Sequence, residues 1–138
     1  MQGCRVQNIY QQSVETISEP AGLKVTVDRV EYQVGANTPV ESPHCFAYFI
    51  SIHNDTEGLI QILGRKWVVR SDDGQVIAVE GDGVVGQFPD ILPGEKFSYN
   101  SYHLLSGRSA LAEGSYIGRD GDGQRVRVRI PAFEMRVP

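Results

Sequence analysis

From Arg125 to Ile130 the chain reads Arg-Val-Arg-Val-Arg-Ile, a charged and a branched apolar residue in strict alternation. Successive side chains of an extended strand leave on opposite faces, so Val126, Val128 and Ile130 share one face and Arg125, Arg127 and Arg129 the other. The same two-residue period recurs in Leu23-Val25-Val27, in Phe46-Tyr48-Ile50-Ile52 and in Phe97-Tyr99-Ser101. Helical periodicity is confined to residues 108–113, the best helix candidate and too short to stand alone. The pattern therefore predicts an all-β chain.

Turn chemistry divides the strands. Asn54-Asp55-Thr56-Glu57-Gly58 predicts a hairpin into the run 59–70, and Ser71-Asp72-Asp73-Gly74 a second one, where Asp-Gly suits a primed turn. Pro93-Gly94 fits the centre of a type II turn, and Asp120-Gly121-Asp122-Gly123 leads into the last strand. The apolar phase slips by one residue between Val27 and Val30, which predicts a β-bulge at residues 28–29. Pro131 resets the phase again ahead of Phe133, Met135 and Val137, which predicts a second bulge or an edge position. About seven to eight strands at such spacings make an antiparallel β-sandwich. Trp67 is expected in its core. The arginine row is expected on a solvated face whose charges discourage edge pairing, and a free edge leaves a homodimer open.

The 138 residues suit one domain, with residues 1–20 as a polar extension and 21–138 as the folded unit. Thirteen Lys and Arg against 17 Asp and Glu leave a net charge of −4, which argues against nucleic acid as a partner. The start lacks the apolar run of a signal peptide, and no stretch reaches the ~18 apolar residues of a membrane span, so a cytoplasmic protein is expected. Cys4 and Cys45, without Cys-x-x-Cys spacing, read as reduced thiols.

Gly81-Asp82-Gly83-Val84-Val85-Gly86 satisfies the G-x-G-x-x-G pattern. In a dinucleotide-binding fold those glycines feed a helix, but Gln87-Phe88-Pro89 cannot open one, so that fold is excluded. The glycines are expected to let the chain cross between two sheets. A second reading has amides at Gly81, Gly83 and Gly86 cradle a phosphate or nucleotide, with Arg65 or Lys66 supplying charge. Phe88 and Pro89 stand beside the loop as candidate contacts for a protein partner.

His44, His53, His103 and Cys45 are the soft metal ligands in view. Only His44 and Cys45 are paired, and adjacent strand residues point apart, so neither a metal site nor a cofactor is assigned. Ser101 and His103 share a face without a nucleophile elbow, and the paired carboxylates sit in turns. No catalytic constellation is assembled, and the expected function is not that of an enzyme.

Gly64-Arg65-Lys66-Trp67, Asp73-Gly74, the run from Val79 to Pro89, Leu92-Pro93-Gly94-Glu95 through Tyr99-Asn100-Ser101, Gly114-Ser115-Tyr116 and Ile130-Pro131-Ala132-Phe133 together resemble the ApaG domain family. The likeness covers residues 21–138. It implies an immunoglobulin/fibronectin type III-like β-sandwich, no established catalytic activity, and a family association with cobalt resistance and magnesium efflux. It further implies either a protein-binding module or a phosphate or nucleotide binder; a divalent-metal-responsive regulator is a third reading. Lys66 stands where the family usually has His, Phe88 where it usually has Gln, and Ala110-Leu111-Ala112 has lost the family's Gly and Met. A ligand role for that histidine therefore does not carry over.

Overall fold

The computed structural model describes residues 16–138. Eight strands build it: β1 (Leu23–Tyr32), β2 (His44–Asn54), β3 (Ile60–Ser71), β4 (Val76–Asp82), β5 (Asp90–Ile91), β6 (Lys96–Leu105), β7 (Ser109–Asp120) and β8 (Arg125–Arg136). They form two antiparallel sheets, β1-β2-β6 and β4-β3-β7-β8, with β5 pairing β3 beyond the end of β4. Inward side chains of both sheets make one core around Tyr48, Ile50, Ile52, Ile62, Trp67 and Tyr116. This is the β-sandwich that the alternating pattern predicts.

Both predicted phase breaks are bulges. The β1–β2 register shifts between Val27 and Arg29, and the β7–β8 register shifts so that Pro131 and Ala132 lie between the pairs Ala112↔Phe133 and Gly114↔Ile130. A third bulge at Leu63, between Ile62 and Gly64 of β3, was not legible in the sequence.

Four expectations are corrected. Residues 108–113 are not helical; Ala110 and Ala112 are buried strand residues of β7, and their small side chains hide a two-residue period from a hydropathy reading. Asn54 to Gly58 does not close a hairpin, because β2 and β3 belong to different sheets. Instead Asn54 is a buried staple for that crossing. Its amide nitrogen donates to the Gly58 and Ile91 carbonyls at 2.9 and 2.7 Å, and its carbonyl accepts from the Thr56 amide at 3.0 Å. The β3–β4 turn is not a primed turn. Only Gly74 has positive φ, 90°, and its amide donates to the Ser71 carbonyl at 3.0 Å, as in a type I turn closed by a glycine bulge. Lastly, the glycine loop does not cross between the sheets. β4 and β5 both pair with β3, and the loop is an excursion between them; the crossing follows at residues 92–95, where Gly94 has φ 84° and the Glu95 amide donates to the Leu92 carbonyl.

Of the polar extension assigned to residues 1–20, residues 1–15 and with them Cys4 lie outside the described residues. Ser18 lies parallel to β8, its amide donating to the Arg125 carbonyl at 3.0 Å and its carbonyl accepting from the Arg127 amide at 2.8 Å. Glu19 then accepts from Arg127 and Arg129 at 3.0 and 3.2 Å. No described helix is long and apolar enough to cross a membrane.

Candidate functional site

The site begins where β4 ends. Gly83 donates its amide to the carbonyl of the bulged Leu63 at 2.7 Å, which draws the chain off the sheet edge. A side chain is excluded at Gly83 twice over, by φ 64° and by the Gln87 carbonyl oxygen 2.4 Å from where a Cβ would stand. Val84 follows and is fully buried, an anchor in the core. Val84 and Gln87 then exchange both backbone hydrogen bonds, at 2.8 and 2.9 Å, around Val85 and Gly86. With φ of 45° and 78°, those two residues make a type I′ turn. A β-branched residue at positive φ is an outlier, so the turn holds Val85 in strain. The Pro89 carbonyl accepts from the Ile62 amide at 3.0 Å and returns the chain to β3.

Arg65 locks this loop from beneath. It pairs with Gly81 across β3 and β4, and its guanidinium occupies the space a side chain there would fill, 2.7–2.9 Å from the Cβ position. It donates to the carbonyls of Asp82 and Gly83 at 2.9 and 3.2 Å. Of the residues singled out from the sequence, the fold thus brings Arg65, Gly81 and Gly83 together. Lys66 it sends to the other face of β3, where it pairs with Glu80 at 3.5 Å. The Gly83 amide is occupied, while those of Val85 and Gly86 have no acceptor among the described residues. Outside this backbone, Val85, Phe88 and Leu92 are exposed to 48, 52 and 52%.

Beside the loop, β4 and β6 end their respective sheets without meeting, and a groove of about 400 Å³ lies between them. Its floor is a ring box. Tyr48 stacks on His103 at a centroid distance of 4.7 Å, and Trp67 stands edge-on to His103 at 4.7 Å and tilted to Tyr48 at 5.0 Å. Trp67 is thus the core tryptophan, buried and yet part of a groove. Burial pulls the His103 imidazole down to about 4, so it is neutral at pH 7. Burial also pushes the Tyr48 phenol up, and those of Tyr99 and Tyr116, which share a hydrogen bond behind it. This box was not singled out from the sequence. Its one signal is a histidine on the inward parity of Phe97, Tyr99 and Ser101.

A second polar cluster covers the outer face of β1, β2 and β6 at the first bulge. Thr26 and Ser51 donate to Asp28 at 2.8 and 2.6 Å, Ser98 to Ser51 at 2.7 Å, and His53 Nε2 to Thr26 at 2.9 Å. The serine bond holds the Asp28 carboxyl below its usual range. Every proton in this chain runs toward an ionised carboxylate, so the cluster pins the bulge and leaves neither serine hydroxyl facing a free base. His44 is engaged elsewhere, its Nδ1 2.9 Å from the Tyr32 hydroxyl, so the three histidines do not converge. No group of three or more His, Cys, Asp or Glu side chains suited to a metal ion occurs among the described residues.

Comparisons with known proteins agree with this architecture. The family model for the ApaG domain matches residues 35–120. The chain is similar to Protein ApaG of Deinococcus radiodurans, 41% identical over 92 residues that cover 67% of this chain and 72% of that protein. It is similar to Protein ApaG of Chromohalobacter salexigens at 40% over 109 residues, covering 78% and 86%. Among solved structures, an ApaA protein from Bordetella pertussis superposes with a TM-score of 0.78 at 30% identity, covering 88% of this chain and 98% of that one.

Proposed function

The chain belongs to the ApaG domain family, and we propose that it works as a non-enzymatic interaction module, presenting the loop between β4 and β5 to a protein partner. One observation carries this reading: two half-exposed apolar side chains, Val85 and Phe88, stand on a loop whose backbone is tied down at both ends, with exposed Leu92 just beyond β5. Exposed apolar groups on a mobile loop collapse or cost ordering entropy when they bind. Groups already held by the Leu63–Gly83, Val84–Gln87 and Pro89–Ile62 hydrogen bonds pay little of it. Aromatic residues, Phe among them, are enriched at protein interfaces relative to the rest of the surface. In this reading the family's association with cobalt resistance and magnesium efflux runs through the partner.

The phosphate or nucleotide alternative draws on the amides of Val85 and Gly86, without acceptors among the described residues, and on the nearby charge of Arg65. Against it stand the carboxylates of Glu80 and Asp82 at the same end of β4. Affinity capture with the parent protein and with Phe88→Ala, followed by a binding isotherm for the captured partner, tests the first reading. Truncating a hot-spot ring is expected to weaken binding by about 2 kcal/mol, roughly thirtyfold. Undiminished binding by Phe88→Ala removes the loop from the interface. Saturable heat with pyrophosphate or a nucleoside triphosphate, lost in Arg65→Gln, moves the function to the alternative.

A further inference from the structure

The floor of the β4–β6 groove carries donors that lack acceptors. Trp67 is 2% exposed, lines the groove, and its indole N–H has no hydrogen-bond partner among the described residues. Nε2 of His103, in the adjoining ring, is also buried without one. Arg65, two residues before Trp67 on the same face of β3, meets no carboxylate within ion-pair distance among the described residues. The Tyr48 and Ser101 side chains line the same floor, and no acidic residue lines the groove. A buried donor left unmade is costly, and a guanidinium without a counter-charge beside it favours an anionic acceptor.

The walls narrow the chemistry. Ile77 and Val79 of β4 and Leu104 of β6 are apolar, so part of any occupant must be hydrocarbon. The volume of about 400 Å³ is near the lower end for ligand pockets, ~300–1,000 Å³. We propose that this groove binds a small monocarboxylate with an apolar body, the carboxylate taken by Arg65 and the Trp67 indole N–H and the hydrocarbon lying between β4 and β6. The site is separate from the exposed apolar face of the loop and does not depend on the partner reading.

The chain holds one tryptophan, so its indole reports on the site directly. Titrating the full-length protein with 3-phenylpropionate is expected to move the Trp67 indole N–H resonance saturably. The neutral 3-phenylpropionamide is expected to bind about tenfold or more weakly, because it lacks the charge-assisted bond. Arg65→Gln is expected to erase that preference for acid over amide. Val79→Glu places a like charge on an exposed wall position and is expected to abolish acid binding while the remaining amide resonances stay in place. Phe88→Ala is expected to leave acid binding unchanged, which separates this site from the loop surface. The proposal is overturned if acid and amide bind equally, if acetate matches 3-phenylpropionate, if Arg65→Gln retains the preference, or if no resonance saturates at about 10 mM ligand.

Discussion

Along one side of the sandwich β1 lies against β8, and the chain ahead of β1 covers the edge that remains: Ser18 pairs with the β8 backbone and Glu19 bridges Arg127 and Arg129. Along the other side β4 and β6 end their sheets without meeting, and the gap holds aromatic rings, the Arg65 guanidinium and an indole N–H, the last two without a carboxylate or an acceptor respectively among the described residues. Two sheets of finite width always leave edges, and bare edges invite uncontrolled pairing. The first flank is sealed by two residues, whereas the second stands open among the described residues, and both candidate surfaces lie beside it.

The largest test of the contrast is Gly83→Ala. A methyl group there meets positive φ and the Gln87 carbonyl together, so the end of β4 must rebuild, and a loss of about 3 kcal/mol is expected in denaturant unfolding. A loss under about 1 kcal/mol would mean that the open flank is not held by this turn.

Next comes acid titration, which separates the flanks by window. The His103 pKa in the fold, about 4, lies below its ordinary 6.5. The unfolded chain therefore takes up the proton first as pH falls. The contribution of His103 is flat above about pH 6.5 and lowers stability by about 3 kcal/mol between there and pH 4. His103→Leu is expected to flatten that arm. The Glu19 carboxyl is held below its usual 4.5 by its bonds to Arg127 and Arg129, so its contribution is present above that value and is lost only as pH falls below it. An acid arm unchanged in His103→Leu would break the assignment of the higher window to the open flank.

A smaller effect of opposite sign is expected at Val85. Asparagine tolerates positive φ and valine does not, so Val85→Asn should raise stability by about 1 kcal/mol, read as a higher melting temperature. If partner binding falls at the same time, the strained valine is retained for its exposed side chain. The smallest change is Glu19→Gln, which removes two solvent-exposed ion pairs and should barely move the melting temperature at pH 7, more so in low salt. A large drop there would show that the strap, rather than the β1–β8 contact, closes the flank.

How much of this was legible follows from the range of each signal. The bulges at residues 28–29 and at Pro131 could be read because a phase slip is written in consecutive residues. Residues 108–113 read as a helix candidate too short to stand alone, and not as a strand, because Ala110 and Ala112 are too small to mark a buried face, although β7 packs them in the core. Asn54 looked like a turn residue and is the buried hub of a crossing, a role created by the Ile91 carbonyl 37 residues away. The pairing of Arg65 with Gly81 was legible only as far as a charge from Arg65 or Lys66, since nothing local says which of the two faces the loop. That of Glu19 with Arg127 and Arg129, across more than a hundred residues, had no signal.

By itself the sequence determined which side chains face inward, because a strand's two-residue period is a local property of extended backbone. It determined equally that the glycine pattern could not open a helix, because Pro89 stands three residues beyond it. Only the tertiary structure decided that β1 meets β8 while β4 and β6 stay apart, and hence that Tyr48, Trp67 and His103 share a groove with Arg65. The reason is physical. Strand neighbours are chosen by contacts between residues far apart in the chain, and alternation along a strand carries no record of which edge it will meet.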